Sequence, residues 1–147
     1  KDVVTDGVGA IQRMPVERAA ASSIVLAALF VLAGTMHFVI PDSYVRIMPP
    51  WVPWHRGMVL LSGACEIAGG IGLLVPRVRR WAGIGLIALL LAVWPANLQM
   101  LLNARAAHQP AWAQVLLLLR LPLQIVLMWW VWRASQPREP NRADALS

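Results

Sequence analysis

Groups that usually carry cofactor chemistry are scarce in this chain. Cys65 is the only cysteine, so the sequence has no C-x-x-C pair and no internal dithiol exchange. It has no H-E-x-x-H motif, no carboxylate cluster for a metal and no phosphate-cradling glycine loop followed by lysine. Of the three histidines only His37 lies in an apolar run, so a haem held by two membrane histidines would lack its second ligand.

Charge is also scarce, since charged residues make up 14% of the chain and hydrophobic residues 59%. Four long apolar runs explain this imbalance, and each is close to the roughly 20 residues that cross about 30 Å of hydrocarbon. The first run is too long for the apolar part of a signal peptide, so we interpret it as a retained helix. We expect an all-α membrane protein, a four-transmembrane-helix up-down bundle. The predicted spans are 19–40, 57–75, 81–102 and 111–132, between cytoplasmic tails at 1–18 and 133–147.

The distribution of the positive charge predicts the orientation. A net charge of +6 would suggest nucleic acid in a soluble protein, but nine cations flank the runs on one side and three on the other. The positive-inside bias therefore places both termini in the cytoplasm, in a bacterial-type inner membrane, and we expect no nucleic-acid partner. The nine are Lys1, Arg13, Arg18, Arg77, Arg79, Arg80, Arg133, Arg138 and Arg142, and the three are Arg46, Arg56 and Arg105.

The connection between the first two spans, residues 41–56, is rich in proline and tryptophan. Asp42 is suited to cap a short helix that Pro49 and Pro50 then end. We interpret the segment as a rigid interfacial linker, with a lid over the outer mouth of the bundle as the alternative. Tryptophans at both boundaries resemble interfacial belts, with Trp51, Trp54 and Trp112 outside and Trp81, Trp129, Trp130 and Trp132 inside.

Two ionisable residues interrupt apolar runs that are otherwise free of charge, Glu66 in the second and Arg120 in the fourth. An ionised side chain at the bilayer centre costs roughly 2.5 to 3.5 kcal/mol on insertion scales, so such residues usually face a protein interior and find a partner. Each lies about 13 Å from the outer end of its run, at 1.5 Å per residue. We therefore expect Glu66 and Arg120 to meet through a salt bridge or a hydrogen bond.

Other polar residues extend this site toward the outer surface. Gln124 lies four residues after Arg120 on the same helix face, while His37 and Asn97 lie nearer the outside. Asn97 and Gln99 could instead tie helices together, and His37 could cap the interface. Our predicted ligand-binding set is His37, Glu66, Asn97, Arg120 and Gln124, with Glu66 as the candidate catalytic residue and no metal site.

A series of short motifs runs in order between residues 32 and 132. They are Ala33-Gly34-Thr35-Met36-His37-Phe38, Pro41, Tyr44, Met48-Pro49-Pro50-Trp51, Ser62-Gly63-Ala64-Cys65-Glu66, Gly69-Gly70, Leu73-Leu74, Arg79-Arg80, Pro95-Ala96-Asn97 and Arg120-Leu121-Pro122-Leu123-Gln124. Together these motifs resemble the DoxX-like family of small membrane proteins. The resemblance implies a four-helix membrane bundle and an association with redox complexes, since DoxX proteins take their name from a membrane subunit of a thiosulfate:quinone oxidoreductase. His37, Glu66, Asn97 and Arg120 match positions of the family pattern, and no catalytic role comes with them.

The leading hypothesis is a redox-associated membrane subunit that binds a quinone or a similar amphipathic molecule in an intramembrane polar pocket. In it Arg120 and His37 donate hydrogen bonds to a ligand oxygen, and Glu66 supplies or accepts a proton. Its partners would be the lipid bilayer, a soluble or membrane redox protein, or a second copy of the chain. The alternatives are a non-catalytic membrane adaptor or assembly factor and a small-solute permease, and the sequence leaves catalysis itself open.

Overall fold

The computed structural model describes the backbone of residues 3–136 and the side chains of residues 21–136. Four of its helices are long and apolar enough to cross a membrane, and in the first of them the candidate span is Ala21–Val39. The predicted all-α bundle with four spans is confirmed, and the chain is a multi-pass membrane protein. The helices are α1 (Val3–Val39), α2 (Pro41–Val45), α3 (His55–Leu74), α4 (Arg79–Ala106) and α5 (Ala111–Ser135).

The helices extend beyond some of the predicted boundaries. Helix α1 begins at Val3, so most of the predicted tail at 1–18 is helical and continues the helix of the first span, because extending an existing helix costs less than nucleating one. Of the other predicted tail, residues 133–135 complete α5, and the part from residue 137 lies outside the described residues. Asp42 is not the N-cap of α2, because Pro41 occupies the first turn and needs no hydrogen bond for its nitrogen.

Consecutive long helices are neighbours around the bundle. Helix α1 packs against α3, α3 against α4, and α4 against α5, while α1 and α5 complete the ring through a much smaller contact. This order is the up-down arrangement expected for short connections. Helices α3 and α5 therefore face each other across the middle of the bundle rather than side by side.

Two glycines permit the close crossing of α1 and α3. A Cβ atom on Gly34 would lie 2.6 Å from the carbonyl oxygen of Gly63, and one on Gly63 would lie 2.7 Å from the carbonyl oxygen of Gly34. Such close backbone approach is typical of membrane helix pairs with small residues at the contact. The crossing brings His37, one turn beyond Gly34, beside Glu66, one turn beyond Gly63.

Apolar side chains close the end of the bundle that carries the α3–α4 connection and the end of α5. They form one buried cluster to which all four spans contribute. Arg79 is buried beside this end, where its Nε donates a hydrogen bond to the carbonyl oxygen of Leu73 at 2.8 Å. The interior is thus sealed at this end, which we call the closed end. The cluster consists of Leu26, Phe30, Leu73, Leu86, Val131 and Ala134.

Candidate functional site

A cavity of about 280 Å³ lies inside the other half of the bundle, beneath α2. Its wall is mostly apolar, with side chains such as Val59, Leu90 and Leu127. All four spans contribute to it, so the cavity lies among the four helices rather than between one helix pair. Its polar lining comprises the five residues predicted from the sequence, His37, Glu66, Asn97, Arg120 and Gln124, together with Tyr44 and Ser62.

Glu66 is the polar residue of this cavity that most clearly lacks a partner. The residue is only 9% exposed, and its Oε2 atom is buried without a hydrogen-bond partner. The nearest ionisable atom is Nδ1 of His37 at 3.8 Å, which is beyond hydrogen-bonding distance. An unsatisfied buried acceptor costs about 1 to 3 kcal/mol, and more if it is charged. The carboxyl group is therefore available to a molecule that enters the cavity.

The contacts of His37 define its tautomer. Its Nδ1 atom lies 3.0 Å from the carbonyl oxygen of Ala33, and because a carbonyl only accepts, Nδ1 carries the hydrogen and donates. In the neutral ring Nε2 is then an acceptor, so in this form the other ring nitrogen accepts from a ligand, and the expected donation by His37 stays a prediction. The ring stacks on Tyr44, with centroids 3.9 Å apart and planes inclined by 23°. This stacking fixes the ring plane against the roof of the cavity.

The expected salt bridge between Glu66 and Arg120 does not form. Arg120 makes no ion pair with any residue in the described part of the chain, whereas Glu66 lies within ion-pair distance of His37. The reason is topological, because α3 and α5 are diagonal in the bundle and the cavity lies between them. Arg120 is instead an exposed residue of the cavity rim.

Asn97 and Gln124 are engaged with each other and with the backbone. Nδ2 of Asn97 donates to Oε1 of Gln124 at 2.7 Å, and Nε2 of Gln124 donates to the carbonyl oxygen of Leu90. Leu90 is next to Leu91, whose carbonyl oxygen lacks a helical donor because Pro95 has no N–H. Both amides line the cavity, and both also join α4 to α5. Gln99 does not line the cavity; it donates to Asn103 at 2.9 Å.

The connection after α1 supplies lining residues that the sequence did not identify. Tyr44, Ile47 and Met48 cover the cavity, as in the alternative interpretation of this segment as a lid. Burial raises the pKa of the Tyr44 hydroxyl above its usual range, the charge of Glu66 adds to this increase, and Arg120 opposes it. The sequence feature that could have identified this lining role is Tyr44, the only tyrosine of the chain, which lies in a segment rich in proline and tryptophan.

Hydrogen bonds and an ion pair hold this connection over the bundle. Nη1 of Arg56 lies 3.1 Å from Oδ1 of Asp42, although both side chains are largely exposed. Nε2 of His55 donates to the carbonyl oxygen of Pro49 at 3.1 Å. These contacts fasten α2 and the residues after it to the first turn of α3.

Comparison with known proteins gives one match. A family model described as a domain of unknown function (DUF8561) matches residues 26–135, a range that contains every cavity-lining residue. No curated protein and no solved structure matches the chain.

Proposed function

The chain belongs to the family of the domain of unknown function DUF8561, and from the geometry of its cavity we propose that it binds a quinone-like amphipathic molecule within the membrane. The observation that carries this proposal is the unpartnered Oε2 atom of Glu66 inside a cavity whose wall is mostly apolar. A few convergent polar groups in an apolar wall are the usual composition of a small-molecule site. Ionisable residues within membrane spans usually mark such sites.

The polar groups of the cavity suit a head group that accepts hydrogen bonds as a quinone and donates them as a quinol. A hydroxyl of a quinol can donate to the carboxylate of Glu66 or to Nε2 of neutral His37, while a quinone carbonyl can accept from protonated Glu66. Arg120 presents only donors and therefore favours a ligand oxygen on its side of the cavity. Glu66 is the residue that can exchange a proton with the bound molecule.

The size of the cavity supports a head group rather than a whole lipid. At about 280 Å³ it lies just below the range of about 300 to 1,000 Å³ typical of sites for drug-sized molecules. A substituted ring fits this volume, and an isoprenoid or acyl tail must remain outside. An amphipathic molecule with a compact polar ring is therefore the ligand class that we propose.

A redox association is part of the same proposal. Its support is the resemblance of motifs around His37, Glu66 and Arg120 to the DoxX-like family. The chain would serve as a quinone-binding membrane subunit, with the electrons exchanged by a partner oxidoreductase. The apolar cluster at the closed end weighs against the permease alternative, since, among the described residues, its side chains separate the cavity from that end of the bundle.

The test is mass spectrometry of the lipids that remain bound after gentle extraction and purification. The parent should retain a quinone in a stoichiometric amount, and Glu66→Leu should lose it. Gln99→Leu is the matched control because it removes a polar side chain from a span without touching the cavity, and it should retain the ligand. This function would be ruled out if the folded parent protein retained no quinone after purification and bound none when quinone was added back.

A further inference from the structure

The exposed part of the cavity wall is confined to two helices. Among the cavity-lining residues only Ala33 on α1 and Arg120 and Leu123 on α5 are exposed, with Leu123 at 62%. The lining residues of α3 and α4 are buried or half-buried, as Glu66 and Asn97 illustrate. The cavity is therefore walled by α3 and α4 and opens between α1 and α5.

The contact between α1 and α5 agrees with this opening. The two helices meet at the closed end, where Leu26 and Val131 belong to the same buried cluster. Farther from the closed end, Ala33 and Leu123 are exposed rather than buried between the two helices. At the end of the bundle opposite the closed end, Tyr44 and Met48 cover the cavity. The opening thus faces sideways, at a depth where the surrounding medium is hydrocarbon.

We infer that the ligand reaches the cavity laterally from the bilayer, through a gap between α1 and α5 bordered by Ala33, Arg120 and Leu123. This inference rests on the proposed function and specifies its ligand class as a membrane-dissolved molecule with a polar ring and an apolar tail. The ring passes the gap and approaches Glu66, while the tail stays between the two helices or in the lipid.

Apolar side chains flank the gap on its lipid side. Leu32 on α1 is 60% exposed, and Leu119 and Val126 on α5 are 51% and 56% exposed. A tail leaving the cavity therefore meets apolar surface on both helices. Arg120 is the exception at the rim, because its guanidinium offers five donors and no acceptor. It selects for ring substituents that accept hydrogen bonds, such as carbonyl or methoxy oxygens.

Blocking the gap tests this route. Ala33→Phe places a bulky side chain at the rim, and Ala64→Phe is the matched control because Ala64 is exposed on α3 and does not line the cavity. The probes are a long-tailed ubiquinone, supplied within lipid nanodiscs, and its tail-less dimethoxy-methyl-benzoquinone head group, supplied from water. Binding is measured by rapidly separating the protein-containing nanodiscs from empty nanodiscs. The absorbance of the quinone in the protein-containing fraction then gives the amount bound.

Ala33→Phe should slow association of the long-tailed ubiquinone about tenfold, within the one to three decades over which association rates vary among variants of one site. In the same variant the tail-less head group, which has no tail to draw through the gap, should be slowed less than the long-tailed ubiquinone. Leu123→Ala should widen the gap and speed association. Equal association rates in Ala33→Phe and Ala64→Phe would overturn lateral access, whereas a parent that binds neither probe would overturn the proposed function itself.

Discussion

Nδ1 of His37 lies 3.8 Å from Oε2 of Glu66, and the crossing of α1 and α3 sets this distance. The two glycines at the crossing let the helix backbones approach, and each site residue follows its glycine by one turn. Because Nδ1 already donates to Ala33, the carboxyl group has a positively polarised neighbour but no hydrogen bond from it. Helix packing thus brings the two side chains together and leaves Glu66 free to bind a third group.

The first prediction concerns Gly63. A Cβ atom there would lie 2.6 Å from Cβ of His37, so Gly63→Ala must push α1 away from α3. Overpacking of this kind costs about 1 to 3 kcal/mol, and we expect both a lower melting temperature and weaker ligand binding. Gly85→Ala is the control, because nothing lies within 4 Å of its added Cβ and alanine is favoured over glycine in a helix by about 1 kcal/mol. Equal effects of the two substitutions would contradict a tight crossing.

Gln124 provides a test of the link between α4 and α5. Gln124→Leu removes the acceptor for Asn97 and the donor to Leu90, so it leaves a buried amide without its partner. We expect a loss of about 1 to 2 kcal/mol, since hydrogen bonds between membrane helices contribute about 0.6 kcal/mol on average and 1.7 at most, and the unpaired amide adds to this. The double substitution Asn97→Leu with Gln124→Leu should recover part of the loss, as measured by unfolding in mixed micelles. Simple addition of the two losses would mean that the amides do not interact.

Double-mutant cycles can separate the two candidate partners of Glu66. Substitutions of Glu66 and Arg120 should be coupled less strongly than those of Glu66 and His37, because no ion pair joins Glu66 to Arg120. Those of Glu66 and His37 should be coupled by about 0.5 kcal/mol or more. The free energies of unfolding of the single and double variants, in which these residues are replaced by Gln or Asn, give both coupling energies. Strong coupling to Arg120 without coupling to His37 would reverse our assignment.

The orientation of the chain is tested by labelling with an impermeant thiol reagent. Ser43 on α2 and Pro76 in the α3–α4 connection are both exposed, and replacing either by cysteine in a Cys65→Ser background preserves every flanking cation. With nine cations on one side against three on the other, position 43 should react in intact cells and position 76 should not. Reaction at position 76 alone would place the termini outside.

The sequence was sufficient to predict the fold class, because the length and hydropathy of the runs determine how many helices can cross a membrane. It also identified polar residues that meet in one cavity, since helical spacing and depth restrict which of them can share a level. His37, Glu66 and Arg120 all reach that cavity.

The pairing of these residues could not be predicted in the same way. Equal depth is necessary for contact between Glu66 and Arg120, but contact also requires neighbouring helices, and the hydrophobic pattern does not determine which helices are neighbours. The small residues of α3 show the same limit, because the spacing of Ala64, Ala68 and Gly72 by four predicts one packing surface for all three. Gly72 packs against Cβ of Ala82, whereas Ala64 and Ala68 are exposed.

Glu66→Gln most sharply tests a proton-handling role, because it preserves the size and hydrogen bonding of the side chain and removes its proton equilibrium. The other ionisable or charged groups around the cavity are His37 on α1, Tyr44 on α2 and Arg120 on α5. Because the pKa of Tyr44 is raised above its ordinary value of 10.0, its hydroxyl stays protonated below pH 9 and contributes no change there. A pH dependence in that range that Glu66→Gln abolishes and His37→Asn preserves therefore belongs to Glu66.

The most direct measurement is the affinity of the nanodisc-embedded protein for a long-tailed ubiquinone and its quinol, determined by equilibrium binding between pH 5 and pH 9. The parent should bind both forms, with a preference between them that changes with pH. Glu66→Gln should fold with an unchanged helical content, bind more weakly and lose that change, while His37→Asn should keep it. A well-folded Glu66→Gln protein that matches the parent in affinity for both forms at every pH would contradict the account.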